Sequence, residues 1–199
     1  MSAIVVFTGG ARSGKSRHAA ELAGSRDRAV TVAVGGAAID GEMERRIAEH
    51  SAGRPPEWSV VEIGADATIA LGSVPEDRVL LVDCLGSIAG STVADAFAEE
   101  GASDQECEVA TAEVERRVEE RMSDVIDVLT ARQGDTVVVT NEVGDGVVPA
   151  SASGRVFRDV LGRANQRLVS AADGAYLVVA GECIDLTRAS TVPVWPETS

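Results

Sequence analysis

The stretch Gly9-Gly10-Ala11-Arg12-Ser13-Gly14-Lys15-Ser16 constrains this chain more than any other. It reads G-x-x-x-x-G-K-S, the spacing of a phosphate-cradling P-loop. Its context is the one such a loop requires. An apolar run from Ala3 to Phe7 reads as a buried strand, and a helical pattern from Ser16 to Leu22 follows. Gly9 and Gly14 let the backbone turn tightly and approach an anion without a Cβ in the way. Loop N–H groups and the helix N-terminus point at phosphate oxygens. Lys15 reaches the β- and γ-phosphates, and the Ser16 hydroxyl can ligate Mg²⁺. Lys15 is also the only lysine in the chain. A composition otherwise given over to arginine keeps a compact, flexible ammonium where phosphate is expected.

At 199 residues the chain reads as one domain over 1–187, followed by a poorly ordered tail over 188–199. Aromatics make up only 3%, so the core must be built from Val, Leu, Ile and Ala. A net charge of −14 argues against a nucleic-acid or membrane-surface binder, which needs a basic face. It favours a protein that meets an anionic ligand through a local site. The 3 cysteines, Cys84, Cys107 and Cys183, are widely spaced without metal-ligand spacing and read as reduced thiols of a cytoplasmic protein. No apolar run reaches membrane-spanning length, and no basic-then-apolar leader precedes the first strand.

Strands and helices alternate along the chain. Ala29 to Val34 is a β-branched run ending in Gly35-Gly36, and Ile39 to His50 reads as a helix with Asp40 and Glu42 in its first turn. Trp58 to Ile63 is a short strand candidate, Asp66 to Leu71 a short helix, and Val79 to Val82 a strong strand closed by Asp83. Residues 86–105 are ambiguous, with glycines at 86, 90 and 101. Glu106 to Arg132 reads as a long charged helix with Val114, Val118, Met122, Val125 and Leu129 on its apolar stripe. Thr136 to Thr140 is another strand, Val156 to Ala171 a helix, and Ala175 to Val179 a last core strand. Continuous apolar strands alternating with helices imply an α/β fold with a mostly parallel sheet and helices on both faces, which together with the P-loop motif is P-loop NTPase-like (RecA-like). Ligands of such sheets bind at the carboxyl ends of strands. The P-loop, Gly35-Gly36, Asp83 and Asn141-Glu142 therefore belong to one edge.

Asp83 carries two readings: an acid that holds Mg²⁺ with Ser16, or one that starts a loop or caps a helix. His18 reads as packing or facing solvent. Ile39, Met43, Ile47 and His50 share one helix face, so His50 projects from the buried side of a helix end. It is either a histidine satisfied at a helix C-terminus or a nucleophile toward a nucleotide phosphate.

Longer blocks around these residues resemble a known family. Thr8 to Arg17 is similar to T-G-G-x-R-S-G-K-S. Asp40, Glu42-Met43, Arg46-Ile47, His50, Arg54-Pro55, Trp58 and Glu62 follow D-x-E-M-x-x-R-I-x-x-H-x-x-x-R-P-x-x-W-x-x-x-E. Leu81 to Leu85, Thr140 to Gly144, Gly146, Val148-Pro149, Arg155, Phe157 to Asp159, Gly162 and Asn165-Gln166 continue the match. The chain resembles the bifunctional adenosylcobinamide kinase/adenosylcobinamide-phosphate guanylyltransferase family over nearly all of residues 3–180. That resemblance implies two reactions. A nucleoside triphosphate, ATP or GTP, phosphorylates the aminopropanol hydroxyl of adenosylcobinamide. GTP then donates GMP to adenosylcobinamide phosphate through a GMP-histidine, releasing pyrophosphate. It places the nucleophile on His50, a catalytic cation on Lys15, and nucleotide contacts on Gly9, Gly10, Ala11, Arg12, Ser13, Gly14, Lys15, Ser16, Val34, Gly35, Gly36, Ser51, Ala52, Gly53, Arg54, Glu62 and Asp83. Mg²⁺ falls to Ser16 and Asp83. The family assembles as a homo-oligomer, typically a trimer. Gly35-Gly36 stands where the family often has Thr-Ser, and Gly86 to Ser91 replaces its usual tryptophan and asparagine. Two other classes share the P-loop: a single-activity small-molecule kinase and a non-enzymatic nucleotide-binding regulator. The first needs no histidine nucleophile, and the second lacks a guanine-reading N-K-x-D element here.

Overall fold

Six of the apolar runs lie side by side in one sheet, and those at its centre are too continuous to expose either face. The structure is a computed structural model that describes residues 2–35, 55–64, 66–101 and 110–189. The strands are β1 (Ile4–Thr8), β2 (Val30–Gly35), β3 (Ser59–Ile63), β4 (Val79–Asp83), β5 (Thr136–Val139), β6 (Gly174–Val179) and β7 (Glu182–Asp185). Their order is β3-β2-β4-β5-β1-β6-β7. All neighbours pair parallel except β6 and β7, which form an antiparallel hairpin. The P-loop NTPase-like architecture expected from the alternation is the one observed.

Alternation of side chains divides the core into two layers. Val6, Leu80, Val82 and Val138 face α2 (Ala67–Gly72), α3 (Leu85–Glu99), α4 (Ala112–Ala131) and α5 (Ala152–Ala171), where Val93, Phe97, Met122, Ile126, Leu161 and Leu168 are buried. Phe7, Val32, Leu81, Val137 and Val139 face the other way, onto Ala19 and Ala23 of α1 (Lys15–Gly24). Each fully buried Leu or Val contributes about 1.5–3 kcal/mol of transfer free energy. A short turn of helix, α6 (Leu186–Ala189), follows β7.

Local chemistry sets the helix boundaries. Asp66 caps α2, accepting from the Thr68 and Ile69 N–H groups. Thr111 caps α4 through the Val114 N–H, so that helix begins at Ala112 rather than at Glu106; residues 106–109 lie outside the described residues. The expected stripe of α4 is buried at all five positions. The ambiguous stretch after residue 85 is helix to Glu99 despite its glycines, and one of them serves packing: a Cβ on Gly86 would stand 3.0 Å from Asn141 Nδ2. Arg132, at the end of α4, donates to the carbonyls of Val74, Pro75 and Arg78 and ties that helix to the loop entering β4.

Register brings the strand ends level. Phe7 pairs with Val139, Asp83 with Val139, and Thr8 with Leu177. The loop after β1, the acid ending β4 and the residues after β5 therefore converge on one edge.

Candidate active site at the carboxyl edge of the sheet

The P-loop is held in a conformation that only its sequence permits. Gly9 has φ +148° and Gly14 has φ +103°, and a Cβ on Gly9 would lie 2.3 Å from the Val178 carbonyl oxygen of β6. Arg12 also adopts a positive φ, 57°. Gly14 is the N-cap of α1 and no side chain caps it, which leaves the first-turn N–H groups to a ligand.

Lys15 folds back into this loop. Its residue is 6% exposed, and Nζ donates to the carbonyls of Gly9 (2.8 Å) and Gly10 (2.6 Å). Burial pushes the ammonium below its ordinary value, and its electrostatic interaction with the neighbouring Cys84 and Asp83 opposes that shift. Ser16 Oγ donates to Asp83 Oδ1 at 3.1 Å. These two hard oxygen donors suit Mg²⁺ shared with phosphate oxygens. Among the described residues no group of three or more His, Cys, Asp or Glu side chains could hold a metal, so a metal here must draw further ligands from the nucleotide and water. Gly14, Lys15, Ser16, Asp83, Cys84 and Asn141 line a cavity of about 470 Å³. That size is in the range of small-molecule sites.

The C-terminal hairpin clips onto the loop. Its turn, Ala180-Gly181, has φ values of 52° and 89°. The Gly181 N–H donates to the Ser13 carbonyl at 2.9 Å. The Gly181 carbonyl accepts from His18 Nε2 (2.7 Å) and Arg17 Nη2 (3.2 Å). Because a trans peptide points its C=O and N–H in opposite directions, holding the Ser13 carbonyl on the hairpin turns the Gly14 N–H away from it. His18 thus bonds a turn instead of merely packing or facing solvent. Asn141, expected only at the ligand edge of the sheet, lies in the cavity wall.

The other expected contacts divide. Ala11 to Ser16 and Asp83 line the cavity, and Gly9 and Gly10 join them through the carbonyls that hold Lys15. Val34 and Gly35 end β2, where they pair with Glu62 and Ile63 of β3. They stand at the same edge but beyond β4 from the P-loop, and they do not line that cavity. Glu62 is exposed on β3, at the margin of the described sheet. Gly36, His50, Ser51, Ala52, Gly53 and Arg54 lie outside the described residues. A second cavity, about 550 Å³, lies between the end of β3 and helices α2, α3 and α4. Its carboxylates, Asp66, Asp95, Glu99 and Asp124, outnumber its one base, Arg121, so it is a poor host for a triphosphate. No described helix is long and apolar enough to cross a membrane.

Sheet order, loop and strand-end acid define a P-loop NTPase. Solved ATPases share the fold. A prototypical ATPase from the type III secretion system of pathogenic bacteria superposes with a TM-score of 0.56 at 12% identity, covering 96% of this chain and 59% of that one. The assembled ATPase EscN of enteropathogenic E. coli gives 0.52 at 13% identity, covering 90% of this chain and 43% of that one. The chain therefore spans less than two thirds of either ATPase, and the likeness speaks for the fold alone.

Sequence relatives are more specific. Residues 5–186 match the model of the family described as cobinamide kinase / cobinamide phosphate guanyltransferase. The bifunctional adenosylcobalamin biosynthesis protein CobU of Salmonella typhimurium is 38% identical over 180 residues, covering 89% of this chain and 96% of that protein. The CobU protein of Escherichia coli K12 is 33% identical, with 89% and 96% covered. The bifunctional protein CobP of Pseudomonas aeruginosa is 33% identical, with 88% and 92% covered. The chain belongs to the cobinamide kinase / cobinamide phosphate guanyltransferase family, a family of enzymes, as its resemblance implied.

Proposed function

We propose that this chain catalyses two steps of adenosylcobalamin biosynthesis at one triphosphate cradle. It phosphorylates the aminopropanol hydroxyl of adenosylcobinamide with ATP or GTP, then joins GMP from GTP to the new phosphate through a GMP-histidine on His50. The observation that carries this reading is the cradle itself, with Lys15, Ser16 and Asp83 converging on one cavity in a chain of this family.

In the first step the hydroxyl oxygen bonds to the γ-phosphorus, the bond to the β–γ bridging oxygen breaks, and the diphosphate leaves with that electron pair. In the second a neutral imidazole nitrogen of His50 attacks the α-phosphorus and pyrophosphate leaves. The corrinoid phosphate oxygen then displaces the histidine. P-loop N–H groups bind the phosphates, and Lys15 moves its donors from the Gly9 and Gly10 carbonyls onto phosphate oxygens. Ser16 and Asp83 would hold Mg²⁺, which neutralises charge on the triphosphate when bound. Arg54 grips guanylate oxygens, and Val34, Gly35, Gly36, Ser51, Ala52, Gly53 and Glu62 complete the nucleotide contacts. The same reading makes the protein a cytoplasmic homo-oligomer, a trimer, working without nucleic acid or membrane.

The test uses GTP labelled on the α- or the γ-phosphate with Mg²⁺. Acid-labile α-label on the wild-type protein, absent from His50→Ala, is the expected result. An α-unlabelled wild type that still binds GTP would refute the histidine intermediate.

A further inference from the structure

Arg12 stands where the backbone asks for glycine. Its φ of 57° lies in the left-handed region, and Gly9 and Gly14 on either side of it also have positive φ. Glycine takes that conformation freely, whereas a residue with a side chain is strained there. Strained residues of this kind cluster at functional sites, where the side chain itself is needed. The Arg12 side chain is exposed and lines the triphosphate cavity. It makes no hydrogen bond or ion pair with any described residue, although every other described arginine makes at least one. In a chain of net charge −14, this one guanidinium is kept out of ion pairs beside a phosphate cavity.

The other charges of the cavity are committed. Lys15 is 6% exposed and sits on the Gly9 and Gly10 carbonyls, within the loop that holds the donor nucleotide. Ser16 and Asp83 are bonded to each other. Arg17 donates to the Gly181 carbonyl and stands 3.8 Å from Glu21. Exposure separates the two free roles. A buried ammonium serves a triphosphate seated in the loop, and an exposed guanidinium on the cavity wall serves a group arriving from solvent. The first reaction proposed above brings a neutral alcohol, which needs no cation. The second brings a phosphate monoester with a charge of about −1.5 to −2 near neutral pH. That anion must approach the phosphorus of a guanylyl group, which is itself negative, against Coulomb repulsion. The planar fork of a guanidinium fits two oxygens of such a phosphate at once.

We propose that the Arg12 guanidinium binds the phosphate of the acceptor during guanylyl transfer. This role rests on the two reactions proposed above. An acceptor oxygen attacks the phosphorus of the GMP-histidine. The new oxygen–phosphorus bond forms, the phosphorus–nitrogen bond breaks, and its electron pair returns to the imidazole. Arg12 offsets the charge of the incoming phosphate and takes part in neither bond change. The same contact holds phosphorylated corrinoid more tightly than the unphosphorylated form, so the product of the first reaction is retained for the second.

Arg12→Gly tests this, because glycine keeps the loop N–H at this position and relieves the positive φ. Its Tm should equal or exceed that of wild type. Phosphorylation of cobinamide, and labelling of the protein by α-labelled GTP without corrinoid, should each fall by no more than about 3-fold. Transfer of that label from the protein to subsaturating cobinamide phosphate should slow about 10–100-fold, the loss of a charge-assisted pair. Arg12→Lys keeps the charge without the fork and should recover part of the loss. Equilibrium dialysis adds a readout without turnover. Wild type should bind cobinamide phosphate about 10-fold more tightly than cobinamide, and Arg12→Gly should erase most of that difference. Transfer within about 3-fold of wild type in Arg12→Gly would overturn the proposal. So would an equal loss of phosphorylation or of protein labelling, which would put the guanidinium on the donor triphosphate. A preference for the phosphorylated corrinoid that survives the substitution would overturn it too. A wild-type protein that never takes α-label would sink the histidine intermediate instead, and dialysis would still decide whether Arg12 reads the acceptor phosphate.

Discussion

Gly9 and Gly10 are neighbours in one motif, yet the structure asks very different things of them. A Cβ on Gly9 would stand 2.3 Å from the Val178 carbonyl oxygen, 3.2 Å from Ser13 Oγ, and on a backbone at φ +148°. The Val178 contact is roughly 0.9 Å inside normal van der Waals separation, and both partners are backbone, so neither can swing aside. Backbone strain of this kind costs about 1–3 kcal/mol, and displacing a packed strand adds a similar amount. Gly9→Ala should therefore destabilise by about 2–6 kcal/mol. In a domain of this size that lowers Tm by about 4–24 °C. A Cβ on Gly10 meets nothing within 4 Å, and its φ lies outside the left-handed region. Gly10→Ala should be neutral, or stabilising by up to about 1 kcal/mol through the unfolded chain. The assay is paired thermal and urea unfolding of both variants without nucleotide. Equal stabilities, or Gly10→Ala the weaker, would refute the reasoning that the β6 edge dictates glycine at position 9.

Because Lys15 is the only lysine, ¹³C-lysine labelling gives one side-chain resonance to titrate. Burial lowers its pKa from the ordinary 10.5, so triphosphate affinity should be greatest below that lowered value. It should fall as pH rises through it, with proton uptake on binding in the alkaline range; an ordinary lysine titration would contradict this. Asp83→Asn keeps an acceptor for Ser16 Oγ but loses the charge, and should cut apparent Mg²⁺ affinity or kcat about 10–100-fold with folding intact. An Mg²⁺ dependence equal to wild type would count against Asp83 as a metal partner. Arg132→Met strands the carbonyls of Val74, Pro75 and Arg78. It should destabilise by about 2–4 kcal/mol in urea unfolding, while nucleotide affinity of the folded protein stays unchanged.

The sequence exposed those parts of the molecule whose signals are local. The strands β1, β2, β4 and β5 are short β-branched runs with sharp ends, and the apolar stripe of α4 repeats at helical spacing. The P-loop declares itself through fixed glycine positions, and Asp83 through its place at the end of a clean apolar run. What stayed hidden depends on contacts across the chain. The helix α3 is interrupted by glycines, and only Asn141, more than 50 positions away, explains why glycine is wanted at position 86. The hairpin β6–β7 turns at Ala180-Gly181 without an Asn-Gly or Asp-Gly signal, and its outer strand is mostly exposed. Nothing local to His18 reveals that it bonds Gly181, 163 positions away. Asn141 was legible only within the Thr140 to Gly144 block and as a strand-end residue; its place in the cavity wall follows from Asn165, Gly9 and Gly86 together.

The central claim is that one cradle serves two different phosphorus atoms. The most direct measurement gives the wild-type protein cobinamide, Mg²⁺ and GTP labelled at the α- or the γ-phosphate, and follows the label into the corrinoid. The γ-label should enter first, as cobinamide phosphate, and the α-label second, as the guanylylated product with release of pyrophosphate. His50→Ala should stop only the second entry, and Lys15→Ala should depress both. Entry of γ-label alone, in protein that binds GTP and retains His50, would contradict the account.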